Sequence, residues 1–447
     1  MAAKVILHIG QQKSGTTYLQ DVLGHIAEPL AREAGILYPD SIREVLPDAI
    51  ENHERATRGL LGDEYPWVSA DDAAGERDKW LRLMEKVRAW PDTVLISAEA
   101  LSVIRSAAVA RLLAEFDGAD VEIVITTRRL DRSLPSLWQQ HVRNGRHSTI
   151  EEYFAALVEQ RERGPEAIEE ELDLHLWRAF WLGGLVRRWA AAVGPDRVRV
   201  VINPGSPADL LWRRFAAAVG APGCSGRPSA DVRARRTHGG LTSEETELMV
   251  ALNRRLEDSG WSTFECRALR EEILLNGLLV RGERGGPVAV PDSARDLVAA
   301  WAEEDVAALR RSGVEIVGRP RELRPAPEPP DGPGLASSER VADAAAAAIM
   351  AVAPRGRYRP EPRRKSLPAW IRTRVRPEQE IPGPPSPDAP ATPTAGAVIR
   401  GAAMPDAAEA PDAAEAPDAA EVPGAPDSTD AFGARDPREG RDAGSPQ

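Results

Sequence analysis

The stretch Val5-Ile6-Leu7-His8-Ile9-Gly10-Gln11-Gln12-Lys13-Ser14-Gly15-Thr16-Thr17 decides the fold. Val5 to Ile9 is an apolar run with the length of a buried strand, and a polar, glycine-containing loop from Gly10 to Gly15 follows it. A helix is expected from Thr16, because Leu19, Val22, Leu23 and Ile26 recur at i, i+3, i+4 and i+7 and make one apolar face. Pro29 is its expected end. The alternation repeats downstream. Val94–Ser97 precedes a helix from about Val103, Val121–Thr126 one from about Arg132 to Asn144, and Val198–Ile202 one over Leu210–Val219. Apolar strands alternating with helices predict an α/β fold, a three-layer, P-loop-like parallel sheet covered by helices on both faces. Ligands in such sheets bind beyond the carboxyl ends of the strands, where the loop after Ile9 falls. Longer helices are expected over Ile150–Gln160, Ile168–Val193, Glu244–Leu256 and Ala294–Arg311. Trp177, Trp181 and Trp189, spaced by four and eight, read as core rather than as a stacking platform.

Composition changes along the 447 residues. Residues 321–447 hold 23 of the 38 prolines and long Ala/Asp/Glu/Pro runs, among them PDAAEA hexads from Pro405. Such a segment buries too little apolar surface to offset its ordering entropy, so a largely disordered C-terminal tail is expected. Within it, Ser337–Val352 suits one alanine-rich helix, and 355–376 holds nine basic residues against one acid. Residues 1–320 are then one α/β domain, ample for a full core. The formal charge of −12 divides into −8 for that domain and −4 for the tail. An acidic total argues against a nucleic-acid binder, whose affinity rests on neutralising phosphates. Val5-Ile6-Leu7 is too short for the apolar core of a leader, and no run approaches the ~20 apolar residues of a membrane helix. The expectation is a soluble, cytoplasmic protein with no integral membrane segment. Cys224 and Cys266 form no metal-like pair and are expected as reduced thiols.

The loop before Thr16 carries the chemistry. Backbone N–H groups of Ser14 to Thr17 would lie unpaired at a helix N-terminus, where the helix dipole adds positive potential. A phosphate there would also meet the Thr16 and Thr17 hydroxyls and the Lys13 ammonium, each charge-assisted contact worth roughly 1.5–3 kcal/mol. The nucleotide-kinase pattern GxxxxGK[ST] sets its lysine after the second glycine. Here Lys13 stands ahead of Gly15, and no strand ends in an acidic pair suited to Mg²⁺.

The order Lys13-Ser14-Gly15-Thr16-Thr17-Tyr18 after an N-terminal strand resembles the sulfotransferase family, whose 5′-phosphosulfate loop reads Lys-x-Gly-Thr-Thr-aromatic. The second half of that family's pattern follows the third expected strand. Arg128 is followed eight residues later by Ser136, with Trp138 at the aromatic position. Leu130 stands where the family usually has proline, and Arg129 and Arg132 compete with Arg128. Pro135 is expected in the first turn of the helix, where proline is tolerated. The resemblance covers about residues 4–320 and implies 3′-phosphoadenosine-5′-phosphosulfate as cosubstrate, with no metal. It implies Lys13 between the 5′-phosphate and the transferring sulfuryl group. Ser14, Gly15, Thr16 and Thr17 would hold the 5′-phosphate, and Arg128 and Ser136 the 3′-phosphate.

Transfer also needs a base within ~3 Å of the acceptor's proton. The family places a His or Glu near the end of the second strand, where this chain has Ser97-Ala98-Glu99, so Glu99 is the candidate; a salt-bridge or helix N-terminal role is the alternative. Among the histidines, His8 reads as core and His141 as the outer face of its helix, while His53, in an Asn52-His53-Glu54 loop, is one candidate for lining the acceptor pocket rather than the favoured reading. The Arg233–Gly240 loop resembles the family's basic loop over the 3′-phosphate, or is a solvated loop. The acceptor, a small molecule, glycan or lipid, is not specified. The rival readings are a nucleotide kinase and a non-catalytic nucleotide-binding scaffold.

Overall fold

The structure, a computed structural model, describes residues 2–39, 52–223, 240–282, 284–325 and 337–353. Six strands, β1 (Lys4–His8), β2 (Ile36–Leu37), β3 (Thr93–Ser97), β4 (Asp120–Thr127), β5 (Val198–Ile202) and β6 (Glu315–Val317), form one sheet in the order β2-β3-β1-β4-β5-β6. Every pairing is parallel. The helices between the first five strands are α1 (Thr16–His25), α2 (Ala27–Ala34), α3 (Asn52–Leu61), α4 (Ala70–Ala89), α5 (Ser106–Ala114), α6 (Leu130–Arg143), α7 (Ile150–Glu162), α8 (Gly164–Glu170), α9 (His175–Phe180) and α10 (Leu182–Val193). After β5 come α11 (Ala208–Ala218), α12 (Ser243–Glu257), α13 (Thr263–Ile273), α14 (Asp292–Arg311) and α15 (Ser338–Val352).

Side chains alternate across a strand, and here both faces are apolar. Val5, Leu7 and Ile9, with Ile123 and Ile125, enter one core; Ile6, Leu95, Val124 and Val201 enter the other. The second is closed by Leu19, Val22 and Leu23 of α1 and by Leu211 and Phe215 of α11. Each such side chain contributes about 1.5–3 kcal/mol on burial, which is why the strands read as apolar runs. The chain leaves β1 for the β2 edge, returns through β3 and crosses to β4. That reversal beside β1 opens a crevice at its carboxyl end.

Several local expectations change. α1 ends at His25, and Pro29 stands in the first turn of α2, where it has no hydrogen bond to lose. α6 begins at Leu130, so Pro135 lies inside it rather than in its first turn. The Arg129 carbonyl already accepts the N–H groups of Arg132 and Ser133 at 3.1 and 3.0 Å, starting the helix ahead of the proline. The expected helix over 168–193 is broken into α8, a 3-10 turn, α9 and α10, with non-helical dihedrals at Glu171 and Trp181. Trp177 and Trp189 are fully buried, and Arg161 stacks on Trp177 and Trp181 at 4.7 and 5.2 Å. The short edge strands β2 and β6 carry too few residues to show a period.

α15 sets Ala344 and Ala348 into the same core as the sheet's helices. Cys266 is a buried free thiol. Among the described residues no helix is long and apolar enough to cross a membrane. Cys224, the Arg233–His238 loop, the basic stretch 355–376 and the hexads lie outside the described residues.

Candidate functional site

The loop after β1 is built on positive φ angles. Gly10, Lys13 and Gly15 have φ of 88°, 59° and 101°. For Lys13 the left-handed region costs roughly 1–2 kcal/mol, a strain that concentrates at binding sites. Gly15 needs its glycine twice over: a Cβ there would lie 2.6 Å from Leu211 Cδ2 and 3.0 Å from Asn203 Nδ2. As N-cap of α1 it offers no side chain to the first-turn N–H groups.

Beneath the loop runs a buried relay. The Ser97 hydroxyl and His8 Nδ1 are 2.8 Å apart, His8 Nε2 and Thr126 Oγ1 3.0 Å, and Thr126 Oγ1 and Ser14 Oγ 2.7 Å. Ser14 in turn donates to the Gln11 carbonyl. One direction satisfies every member: Ser97 donates to Nδ1, Nε2–H to Thr126, and Thr126 to Ser14. His8 is therefore neutral, and burial pushes its pKa down to about 3. Its expected core role holds. The relay also commits the Ser14 hydroxyl inward, so only the backbone of Ser14 remains for a ligand.

Above the loop lies a cleft of about 400 Å³ lined by Lys13, Gly15, Thr16, Thr17, Glu99, Arg128, Ser136, Asn203 and Gly205. These come from the carboxyl ends of four adjacent strands, β3, β1, β4 and β5, from the start of α1 and from the second turn of α6. Every candidate site residue except Ser14 is on its wall. Arg129 does not compete, being paired with Asp131 at 2.9 Å. Arg132 is exposed and off the wall. Trp138 is core, its indole N–H on the Ser148 carbonyl at 3.0 Å.

Burial pulls the Lys13 ammonium below the usual lysine range; the Glu99 charge opposes this and Arg143 adds to it. Glu99 opens a 3-10 turn, Glu99–Val103, after β3. Thr16 donates its hydroxyl to Glu99 Oε2. A Cβ on Gly10 would sit 3.1 Å from Glu99 Cβ and 3.2 Å from its Cα, so loop and turn touch backbone to backbone. The far end of the turn is held by Arg178, fully buried, whose Nε donates to the Val103 carbonyl at 2.6 Å and Nη1 to that of Ile168 at 2.8 Å.

Two histidines depart from expectation. Asn52-His53-Glu54 is the start of α3 rather than a loop, and both His53 nitrogens are used. Nδ1 accepts the Ser97 N–H at 3.1 Å, and Nε2–H donates to the Pro39 carbonyl at 2.8 Å. A ring held this way joins β3 to the neighbouring chain and has no nitrogen left for an acceptor. His141 is buried rather than on an outer face, because α7 covers that side of α6. Its ring meets Tyr153 edge-on at 5.7 Å, and burial, then Arg146 and Lys13, lower its pKa to about 3.

Asn203 was not singled out from the sequence. Its Nδ2 donates to the Ser14 carbonyl at 2.6 Å and its Oδ1 accepts the Gly205 N–H at 2.8 Å. The available signal was a polar residue directly after an apolar parallel strand. No family model, curated protein or solved structure matches the chain, so the site speaks through its own geometry.

Proposed function

We propose that the chain transfers a sulfuryl group from 3′-phosphoadenosine-5′-phosphosulfate to a hydroxyl or amine acceptor, as a P-loop-like member of the sulfotransferase family. The observation that carries this is the single cleft lined by both halves of the motif, Lys13-x-Gly15-Thr16-Thr17 and Arg128 with Ser136, together with Glu99. A donor with phosphate at two ends of one nucleoside needs two anion subsites on one wall. The loop with the α1 start supplies the first and the β4–α6 junction the second.

In this reading the acceptor oxygen or nitrogen attacks sulfur, and the bond from sulfur to the 5′-phosphate oxygen breaks. Adenosine 3′,5′-bisphosphate leaves, and the acceptor's proton passes to the Glu99 carboxylate. Lys13 meets the negative charge that grows on the bridging oxygen. Thr16, by donating to Glu99, keeps the base on the loop side of the cleft. The test is an acceptor screen with labelled donor, read by mass spectrometry, with Mg²⁺ and ATP as the parallel arm. Sulfated product in the first arm supports the reading; phosphorylated product in the second alone replaces it with the kinase.

A further inference from the structure

Glu54 lies in the first turn of α3, half-buried, and its two carboxyl oxygens accept the Ala100 N–H at 3.1 and 3.3 Å. Ala100 is the second residue of the turn that Glu99 opens. The group holding the front of that turn is thus itself a carboxyl, brought in from a helix 45 residues upstream of Glu99. Nothing in the motif resemblance or the transfer scheme uses it.

We propose that Glu54 and Glu99 work as a carboxyl pair carrying one negative charge. Glu54 is the positioning member: it holds the turn that aims Glu99 into the cleft and keeps a proton while Glu99 is ionised. Two carboxyl groups close together and withdrawn from water resist double ionisation, and their titration belongs to the pair. The charged and titratable groups facing Glu54 are Glu99 on the turn, Arg58 on its own helix, and Tyr38 and Tyr65 from the flanking chain. Burial first, and the Glu99 charge second, raise Glu54 to about 8, against Arg58 and the backbone N–H groups of Ala100 and Glu99. Burial raises both phenols too, so they stay neutral through this range.

With burial and the Glu99 charge raising Glu54 to about 8, the pair as proposed carries one charge below that pH. Above it a second negative charge appears beside a site for anions, so anion affinity falls as pH rises. One added charge at ~10 Å and an effective dielectric of ~20 weakens binding on the order of tenfold.

The role of Glu99 as base belongs to the proposed function; the charge sharing is tested without it. In the full chain labelled with carboxyl-¹³C glutamate, one resonance should titrate near pH 8 and vanish in Glu54→Gln. In Glu99→Gln that midpoint should fall toward the ordinary glutamate range. A Glu54 resonance titrating in the ordinary range, or a midpoint unmoved by Glu99→Gln, overturns the pair with no turnover required. Calorimetry with adenosine 3′,5′-bisphosphate from pH 6.5 to 9.5 is the second readout. Wild-type affinity should drop about tenfold across that span, and Glu54→Gln, which still accepts the Ala100 N–H, should shrink the drop to what Lys13 contributes. An unchanged alkaline fall in Glu54→Gln contradicts the proposal. If the bisphosphate binds at no pH, the sulfuryl reading fails and the carboxyl titration alone decides the pair.

Discussion

The side-chain amide of Asn203 donates to the carbonyl oxygen of Ser14 at 2.6 Å, so the residue after β5 holds the turn between β1 and α1. The contact is buried and crosses the sheet from a strand that does not neighbour β1. It fixes the loop whose backbone faces the cleft.

Asn203→Ala leaves that carbonyl without its donor, a loss of about 1–3 kcal/mol. Affinity for adenosine 3′,5′-bisphosphate should fall roughly tenfold, with a small drop in Tm. Calorimetry and a thermal melt check both. Unchanged affinity would mean the loop holds its shape without the amide.

Lys13→Ala should lower turnover on the order of 10²–10³, the loss seen when one donor to a developing charge is removed. Donor affinity should fall less, because the α1 N–H groups and Arg128 remain. Wild-type single-turnover rates in the variant would sink the role assigned to Lys13.

Arg128 and Ser136 predict selectivity for a 3′-phosphate. The wild type should bind adenosine 3′,5′-bisphosphate well above AMP, and Arg128→Ala should erase the difference. Arg129→Ala should leave it, since Arg129 is held by Asp131. Equal wild-type affinities for the two nucleotides would contradict the assignment.

Glu99→Gln should cost roughly 10²–10⁴ in turnover, the range for losing a general base, while donor binding stays nearly intact. If the variant melts early yet turns over normally, Glu99 serves only to tie the β3 turn to α1 through Thr16.

Arg178 donates to the carbonyls of Val103, Ile168, Glu171 and Leu172 from a fully buried position. Arg178→Met fills much of the volume but strands these oxygens. A loss of about 3 kcal/mol or more is expected, read as a lower urea midpoint. A midpoint unchanged from wild type would show that water replaces the guanidinium.

Much of this molecule can be read along the chain. A parallel strand buried on both faces must be an apolar run, so Val5–Ile9, Val94–Ser97, Val121–Thr126 and Val198–Ile202 are visible one residue at a time. A loop that turns through left-handed backbone favours glycine, which makes Gly10 and Gly15 legible, whereas Lys13 in the same region is not. Lys13, Thr16, Thr17, Glu99 and Arg128 sit just past the ends of those strands or at the start of α1, with Ser136 one turn into α6, and a parallel sheet brings all such ends to one edge. The remaining roles depend on distances the order of residues does not encode. Glu54 meets Ala100 across 46 positions, Asn203 meets Ser14 across 189, and His53 reaches Ser97 across 44. Their polar atoms acquire partners only once helices dock on the sheet, because a buried hydrogen bond is set by which surfaces meet. The apolar period of the sequence therefore determined the sheet and the edge that holds the site. Docking of α3, α9 and the β5 end decided how the turn that carries Glu99 and the loop before α1 are held, and the contact of that loop with β4 decided which hydroxyl turns inward.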